Sequence, residues 1–275
     1  MANNSRLKYP GLPLDFLTEC AMGHIPEVMS VNKFGRNIEV DSGTVADVWD
    51  GGQATSGESL IWVAPTQARV HAIVSTSDAD SDVGGVVAQG NGARTIKVFG
   101  LTDWDTAEVS EDIVMDGTTS VNTVNSYVII HRMRVLTKGG NANVNAGIIT
   151  ATAAGDTTVT ALIRIGQGQT QMAIYGVPST QKLYIYKLGA TANKAGGAAG
   201  LLDASLCANP EPADEGTAFL VKHTWGLQTV GSSSSVVDFR PPKIIAGPAI
   251  VKVQVASGAA NMDVSAWFDG IVVDN

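Results

Sequence analysis

Cysteine is almost missing from these 275 residues: Cys20 and Cys207 stand far apart, with no CxxC and no Cys/His ligand spacing around either. Neither a disulfide framework nor a zinc site is signalled, and two buried free thiols are expected. Charge is scarce as well, at 16% of the chain, and unbalanced, with 18 Lys and Arg against 26 Asp and Glu for a net of -8. Nucleic-acid binding draws on clustered Lys and Arg that displace counterions; no such cluster exists, so no nucleic-acid partner is expected. No apolar run reaches bilayer-spanning length and the first residues hold no signal-peptide core, so no membrane association is expected either. Histidine occurs four times, at His24, His71, His131 and His223, never in HxH, HExxH or HxxxH spacing. No metal site is read from them, and His131 and His223, set among apolar residues, read as core histidines.

What is present is small and strand-forming. Hydrophobic residues make up 44% of the chain and glycine occurs 30 times, a balance that favours short strands and many turns over long helices. In SYVIIHRMRV, Tyr127, Ile129, His131, Met133 and Val135 share one face; TAFLVKHTW and AIVKVQVAS alternate in the same way. Such segments read as half-buried antiparallel strands. Asn91-Gly92 and Asp116-Gly117 fall between apolar runs, where a tight hairpin needs positive φ, and Asp103, Trp104 and Asp105 read as a hairpin tip. Only DFLTECAMG carries a plausible helix signal.

The fold class expected is all-β: two tandem antiparallel β-sandwiches, jelly-roll-like, preceded by an extended N-terminal arm. The arm spans 1–40, the first sandwich 41–140 and the second 141–275, with a long loop at 190–216. A loose echo of LIWVAPTQARVHAIVSTSD in AIYGVPSTQKLYIYKLGAT supports the tandem reading, with one larger sandwich as the alternative. KGGNANVNAGIITATAAGDTT reads as the crossover between the two units.

The search for chemistry returns mostly absences. SDADSDVGG sets Asp78, Asp80 and Asp82 at alternating positions like the start of a calcium loop, but the Gly comes late, at Gly84, and Gln89 stands where a closing Glu belongs. Asp103 with Asp105, or Glu108 with Glu111, have the residue types of a glycosidase pair, yet carboxylates at hairpin tips are commonplace. No catalytic residue and no cofactor is assigned.

The arm is different. In residues 1–36, Arg6, Lys8, Lys33 and Arg36 outnumber Asp15, Glu19 and Glu27, so the arm is net positive against an acidic body. Ile25, Val28, Met29, Val31 and Phe34 add apolar anchors. A partner-binding arm is therefore expected, with Ile25, Val28, Val31, Lys33, Phe34 and Arg36 as its contact residues; the alternative is an arm folded back on its own body.

GHIPEVMSVNKFGRNIEVDSGTVADVWDGG, GARTIKVFGLTDWDTAEVSEDIVMDGTTSVNTVNSYVIIHRMRVL, FRPPKIIAGPAIVKVQV and NMDVSAWFDGIVV together resemble a family of structural proteins of tailed-bacteriophage particles. The resemblance implies a non-enzymatic β-sandwich subunit located in the virion after assembly in the host cytoplasm, and it brings no catalytic residues. A capsid decoration or cement protein is the leading expectation. Its partners would be further copies of itself, giving a homo-oligomer, and the major capsid protein, or else tail or vertex proteins. The alternatives are a tail accessory protein or a carbohydrate-binding host-recognition module, for which Trp49, Trp62 and Trp104 are candidate sugar platforms.

Overall fold

A computed structural model describes residues 16–52, 60–82, 90–194, 199–213 and 218–275. After a short helix, α1 (Phe16–Ala21), come β1 (Val28–Val40), β2 (Val45–Asp47), a 3-10 turn (Asp50–Gly52), β3 (His71–Ser75), β4 (Ala93–Leu101), β5 (Val109–Val114), β6 (Val121–Asn122), β7 (Ile129–Lys138), β8 (Ile149–Ala153) and β9 (Val159–Ile163). The remainder is β10 (Ile174–Val177), β11 (Gln181–Lys194), β12 (Gly200–Asn209), β13 (Leu220–Thr229), β14 (Ser232–Ala246), β15 (Ala249–Ser257) and β16 (Met262–Asp274). The all-β expectation holds. These strands form four small antiparallel sheets, a four-bladed arrangement in place of the two tandem sandwiches expected.

Two sheets are built from the ends of the chain. One runs β1-β16-β11-β14, and the other β10-β15-β12-β13 with β2 paired beside β15. Their facing sides share a cluster of apolar residues, among them Val31, Leu188, Leu206, Val253, Met262 and Phe268. The other two sheets, β6-β3-β8-β9 and β5-β4-β7, come from the middle of the chain. They enclose a second cluster that includes Trp49, Trp62, Ile73, Ile96, Tyr127, Ile129 and Met133. Ile174 and Ile250 point into that second cluster from the far side of the β10-β15 sheet. That sheet is therefore covered on both faces, which is why AIVKVQVAS is buried almost throughout rather than half polar.

The division near residue 140 does not describe this topology, because β3 pairs with β8 and β8 with β9. The supposed crossover contains β8, whose Ile149, Ala151 and Ala153 face inward between exposed or half-buried threonines. Residues 28–40, expected within an extended arm, form β1, thirteen residues paired in register with β16. The 190–216 segment is largely strand: β11 runs on to Lys194, and β12 buries Leu202, Ala204, Leu206 and Ala208 on one side. Residues 195–198 and 214–217 of that segment lie outside the described residues, as do 1–15 of the arm and both Gly84 and Gln89. The echo holds in part: 61–64 is not strand whereas its counterpart 174–177 is β10, while β3 falls over residues 184–188 of β11.

Two turns separate sharply. Gly117 has φ of +60° and turns the chain after Asp116, whereas Gly92 has no positive φ and is small for another reason: a Cβ there would fall 2.0 Å from Asp80 Oδ1. The hairpin at Asp103 to Asp105 joins β4 to β5 as expected. The Asp103 carboxylate closes it by accepting from the amides of Asp105 and Thr106, both at 2.8 Å.

Candidate functional site: a buried seam and an exposed sheet face

Strand β1 alternates, and its phase decides where each expected contact residue goes. Val31, Lys33, Gly35 and Asn37 face inward, while Asn32, Phe34 and Arg36 face out. Val31 joins the aliphatic core. Ile25 and Val28 are half-buried. The expected contact residues that lie on β1 are therefore split between the two sides of one sheet, and Ile25 precedes the strand.

Lys33 lies in a seam where β1, β7 and β10 meet. Its Nζ donates to the backbone carbonyl of His131. His131 Nδ1 accepts weakly from the Gly176 amide at 3.5 Å, and its Nε2 lies 2.5 Å from Glu108 Oε2, with the Tyr175 ring at 4.7 Å. Burial, with Arg132 adding repulsion, pulls the Lys33 ammonium down to about 7 against the opposing pull of Glu108. Burial likewise lowers His131. Burial raises Glu108, but His131, Lys33 and Arg132 outweigh it and hold the carboxyl below its usual range. Gly35 beside this seam has no room for a side chain, since a Cβ would sit 2.2 Å from the Val48 carbonyl oxygen.

A second buried ion pair links β2 to β15. Lys252 Nζ meets Asp47 Oδ2 at 2.7 Å, both side chains being nearly inaccessible, and lies 4.0 Å over the Phe219 ring. The Trp62 amide and Gln254 Nε2 complete the Asp47 shell at 2.8 and 3.1 Å.

The candidate catalytic and metal carboxylates are occupied in holding up loops. Asp80 is fully buried and takes four donors: the amides of Ala93, Ala146 and Gly147 and the Ser75 hydroxyl, at 2.7 to 2.8 Å. Its lone pairs are spent on the protein itself, and Asp78 accepts from Thr118 instead of turning toward Asp80. Asp105 accepts from the Ser179 hydroxyl at 2.8 Å. Glu111 accepts from the Val124 and Asn125 amides and the Tyr127 hydroxyl. Among the described residues no group of three or more His, Cys, Asp or Glu is placed to hold a metal ion.

The sugar-platform residues also move. Trp49 and Trp62 are core, 1% and 2% exposed, and Trp104 packs half-buried against the same cluster. The tryptophan that lies on a sheet face is Trp267, which was not singled out from sequence. Its indole spreads over Gly189, where an added Cβ would come within 2.3 Å of the ring. Phe34 stands opposite it on β1, and Val236 continues the row on β14. A second apolar row, Ile271, Tyr184 and Ile244, runs parallel to it. Between the two lies a polar row in which Asn32 donates to Asp269 and Lys187 sits 4.0 Å from Asp238. The cue for Trp267 was available: AWFDG alternates, and Phe268 is the inward residue.

The outer strand β14 is also open. Among the described residues it pairs only with β11; it runs fifteen residues and carries Val236 and Ile244 at 50% and 61% exposure. Strand β13, likewise paired on one side only, precedes it with Leu220 and Val221 exposed.

No family model matches this chain. No curated protein matches its sequence. Among solved structures, a chain of infectious bursal disease virus Gx strain is similar over 90% of this chain and 71% of its own, with 10% identity and a TM-score of 0.25. The infectious bursal disease virus VP2 subviral particle covers 90% and 72%, with 9% identity and a TM-score of 0.20. Likeness at that level carries no argument about this chain. Among the described residues, no helix is long and apolar enough to cross a membrane.

Proposed function

We propose that this chain is a non-enzymatic structural subunit of a virion, and within that class a capsid decoration or cement protein of a tailed bacteriophage. The observation that carries the reading is the open β14 edge beside an exposed apolar sheet face. Ser232 to Val237 is a neutral strand edge with no proline or charge to block pairing, of the kind that soluble monomers protect. With Val236 and Ile244 exposed on the same strand, it favours burial against another subunit. The carboxylates of catalytic type serve the fold's own hydrogen bonds, which suits a role built on repeated contacts. Homo-oligomerisation and contact with a major capsid protein follow from this reading, tail or vertex proteins being the alternative partners. Quantitative mass spectrometry of purified particles tests it: hundreds of copies per particle are expected, a dozen or fewer would move the subunit to the tail, and absence from particles would end the reading.

A carbohydrate-binding host-recognition module is the second reading, favoured by one observation, the Trp267 indole lying over Gly189 next to Phe34. Saturable binding on a glycan array, lost in Trp267→Ala, would establish it; a blank array would remove it.

A further inference from the structure

Beside the open edge of β1 lies a cleft of about 270 Å³, lined by Arg36 and Ile38 of β1, Asp50 of the 3-10 turn, Ile148, Arg164, Ile165, Gln167 and Gln171. Its charge is unlike the rest of this acidic chain. Two guanidiniums face one space; burial, and after it the nearby Arg36, make the Arg164 cation harder to hold against the opposing pull of Asp50. Asp50 is the single carboxylate of the lining, and it is already committed. Its Oδ2 accepts from the Gln171 amide at 3.1 Å, its Oδ1 lies 3.9 Å from Arg164 Nε in an ion pair, and its carbonyl oxygen accepts from Arg164 Nε and Nη2 at 3.3 and 3.1 Å. Burial pushes the Asp50 acid up to about 7, so near neutral pH it cancels less than one of the two cations. Arg36 has only a loose partner outside the cleft: Asp263 stands 3.6 Å away with both side chains some 40% exposed or more, a pairing worth little in water. The rest of the wall is three isoleucines and two glutamines, with Ile165 51% exposed.

We propose that this cleft binds a carboxylate side chain of a protein partner, an Asp or Glu flanked by apolar residues, held between Arg36 and Arg164 with the neighbouring apolar group against Ile165. The volume suits one or two side chains. Guanidinium forks match carboxylate geometry, and an acidic subunit meeting further acidic copies brings such groups to the contact. The inference names the chemistry of one contact in the structural role and rests on that reading for its partner. The binding itself is measured on the isolated chain, so its failure leaves the copy number in particles untouched.

The test is NMR titration of the full chain, observing the arginine Nε signals, with three probes: acetyl-Leu-Asp-Val-amide, the same peptide with Asn for Asp, and inorganic phosphate. Saturable shifts of the Arg36 and Arg164 signals with the Asp peptide are expected. Binding should be about ten-fold weaker with the Asn peptide and in Arg36→Gln, the loss of about one charge-assisted hydrogen bond. Arg36 is exposed, so this variant should melt within a few degrees of the parent. Ile165→Ser, which keeps both cations, should weaken the Asp peptide and leave phosphate unchanged. The proposal is overturned if the Asp peptide gives no saturable shift, if the Asn peptide binds equally, if Arg36→Gln or Ile165→Ser has no effect on the peptide, or if phosphate binds more tightly than the peptide.

Discussion

The pair of sheets made from the chain's ends and the pair made from its middle achieve order by different means. The first uses long strands, of ten to fifteen residues in β11 to β14 and thirteen in β1 and β16. Register then aligns a core made mainly of Val, Leu, Ile and Ala, with Tyr175, Trp225 and Phe268 among them. The second relies on shorter pieces, down to the two residues of β6, packed around Trp49, Trp62, Tyr127 and three methionines. Short strands leave many backbone groups without ladder partners, and buried polar side chains answer for them. Asp80 takes four donors, and Asn145 bridges the carbonyls of Gly147 and Arg164 while accepting from the Gly168 amide. Long ladders spread stability over many equivalent bonds; hubs concentrate it in a few residues.

That contrast can be broken deliberately. Asp80→Ala leaves several buried donors unsatisfied at roughly 1–3 kcal/mol each, so a loss of at least about 4 kcal/mol in urea unfolding is expected. Phe268→Ala, the largest apolar truncation available in the end-built pair, should cost about 3–5 kcal/mol through its cavity. A loss below about 1 kcal/mol for Asp80→Ala would show that the middle pair does not depend on the hub. Next in size, Asp47→Ala strands a buried Lys252 and should cost about 3–5 kcal/mol, while joint replacement by Asp47→Leu and Lys252→Met should return most of it. A double variant as unstable as the single would mean that the pair itself, rather than the stranded charge, holds β2 to β15.

The seam between the two pairs is expected to titrate. The ammonium of Lys33 sits at about 7 in the folded chain and 10.5 when unfolded. Between those values the unfolded chain holds the extra proton, so stability rises with pH from about 7 to about 10 and is at its lower level below that window. Lys33→Met should flatten this rise in denaturation curves taken across the window; an unchanged slope would remove Lys33 as its source. The smallest effect belongs to the exposed face. Lys187→Ala, which removes a half-exposed 4.0 Å pair with Asp238, should change stability by less than about 0.5 kcal/mol.

How far the sequence spoke for itself varies by segment. The β4 to β5 hairpin, the inward face of β7 at His131 and Met133, and the turn at Gly117 were all legible, because bulky apolar residues or an obligatory positive φ marked them. Strands β8 and β12 were not, since their inward positions are largely alanines, which bury without registering as hydrophobic. The phase of β1 was harder to read. Val31 and Phe34 are three apart and cannot share one face of a strand; once Val31 enters the core, Phe34 must face out and Lys33 in. Composition pointed to a cationic contact strand, and only Arg36 of its two cations faces the surface. Arg164 and Asp50, far away in sequence, had no signal that could have joined them to it.

The pairing of β1 with β16 binds the first described strand to the last, from Val28 opposite Val273 to Val40 opposite Met262. During synthesis, β1 therefore leaves the ribosome long before its neighbour exists, while β3 to β9 have all their sheet partners within one continuous stretch. The middle of the molecule can fold as it emerges, and the outer sheet closes only after β16 has been synthesised, a long-range closure that is intrinsically slow. A chain terminated before residue 262 would keep the inner sheets' strands yet leave β1 and β11 with bare edges, so a nascent or truncated molecule is the form most exposed to mispairing.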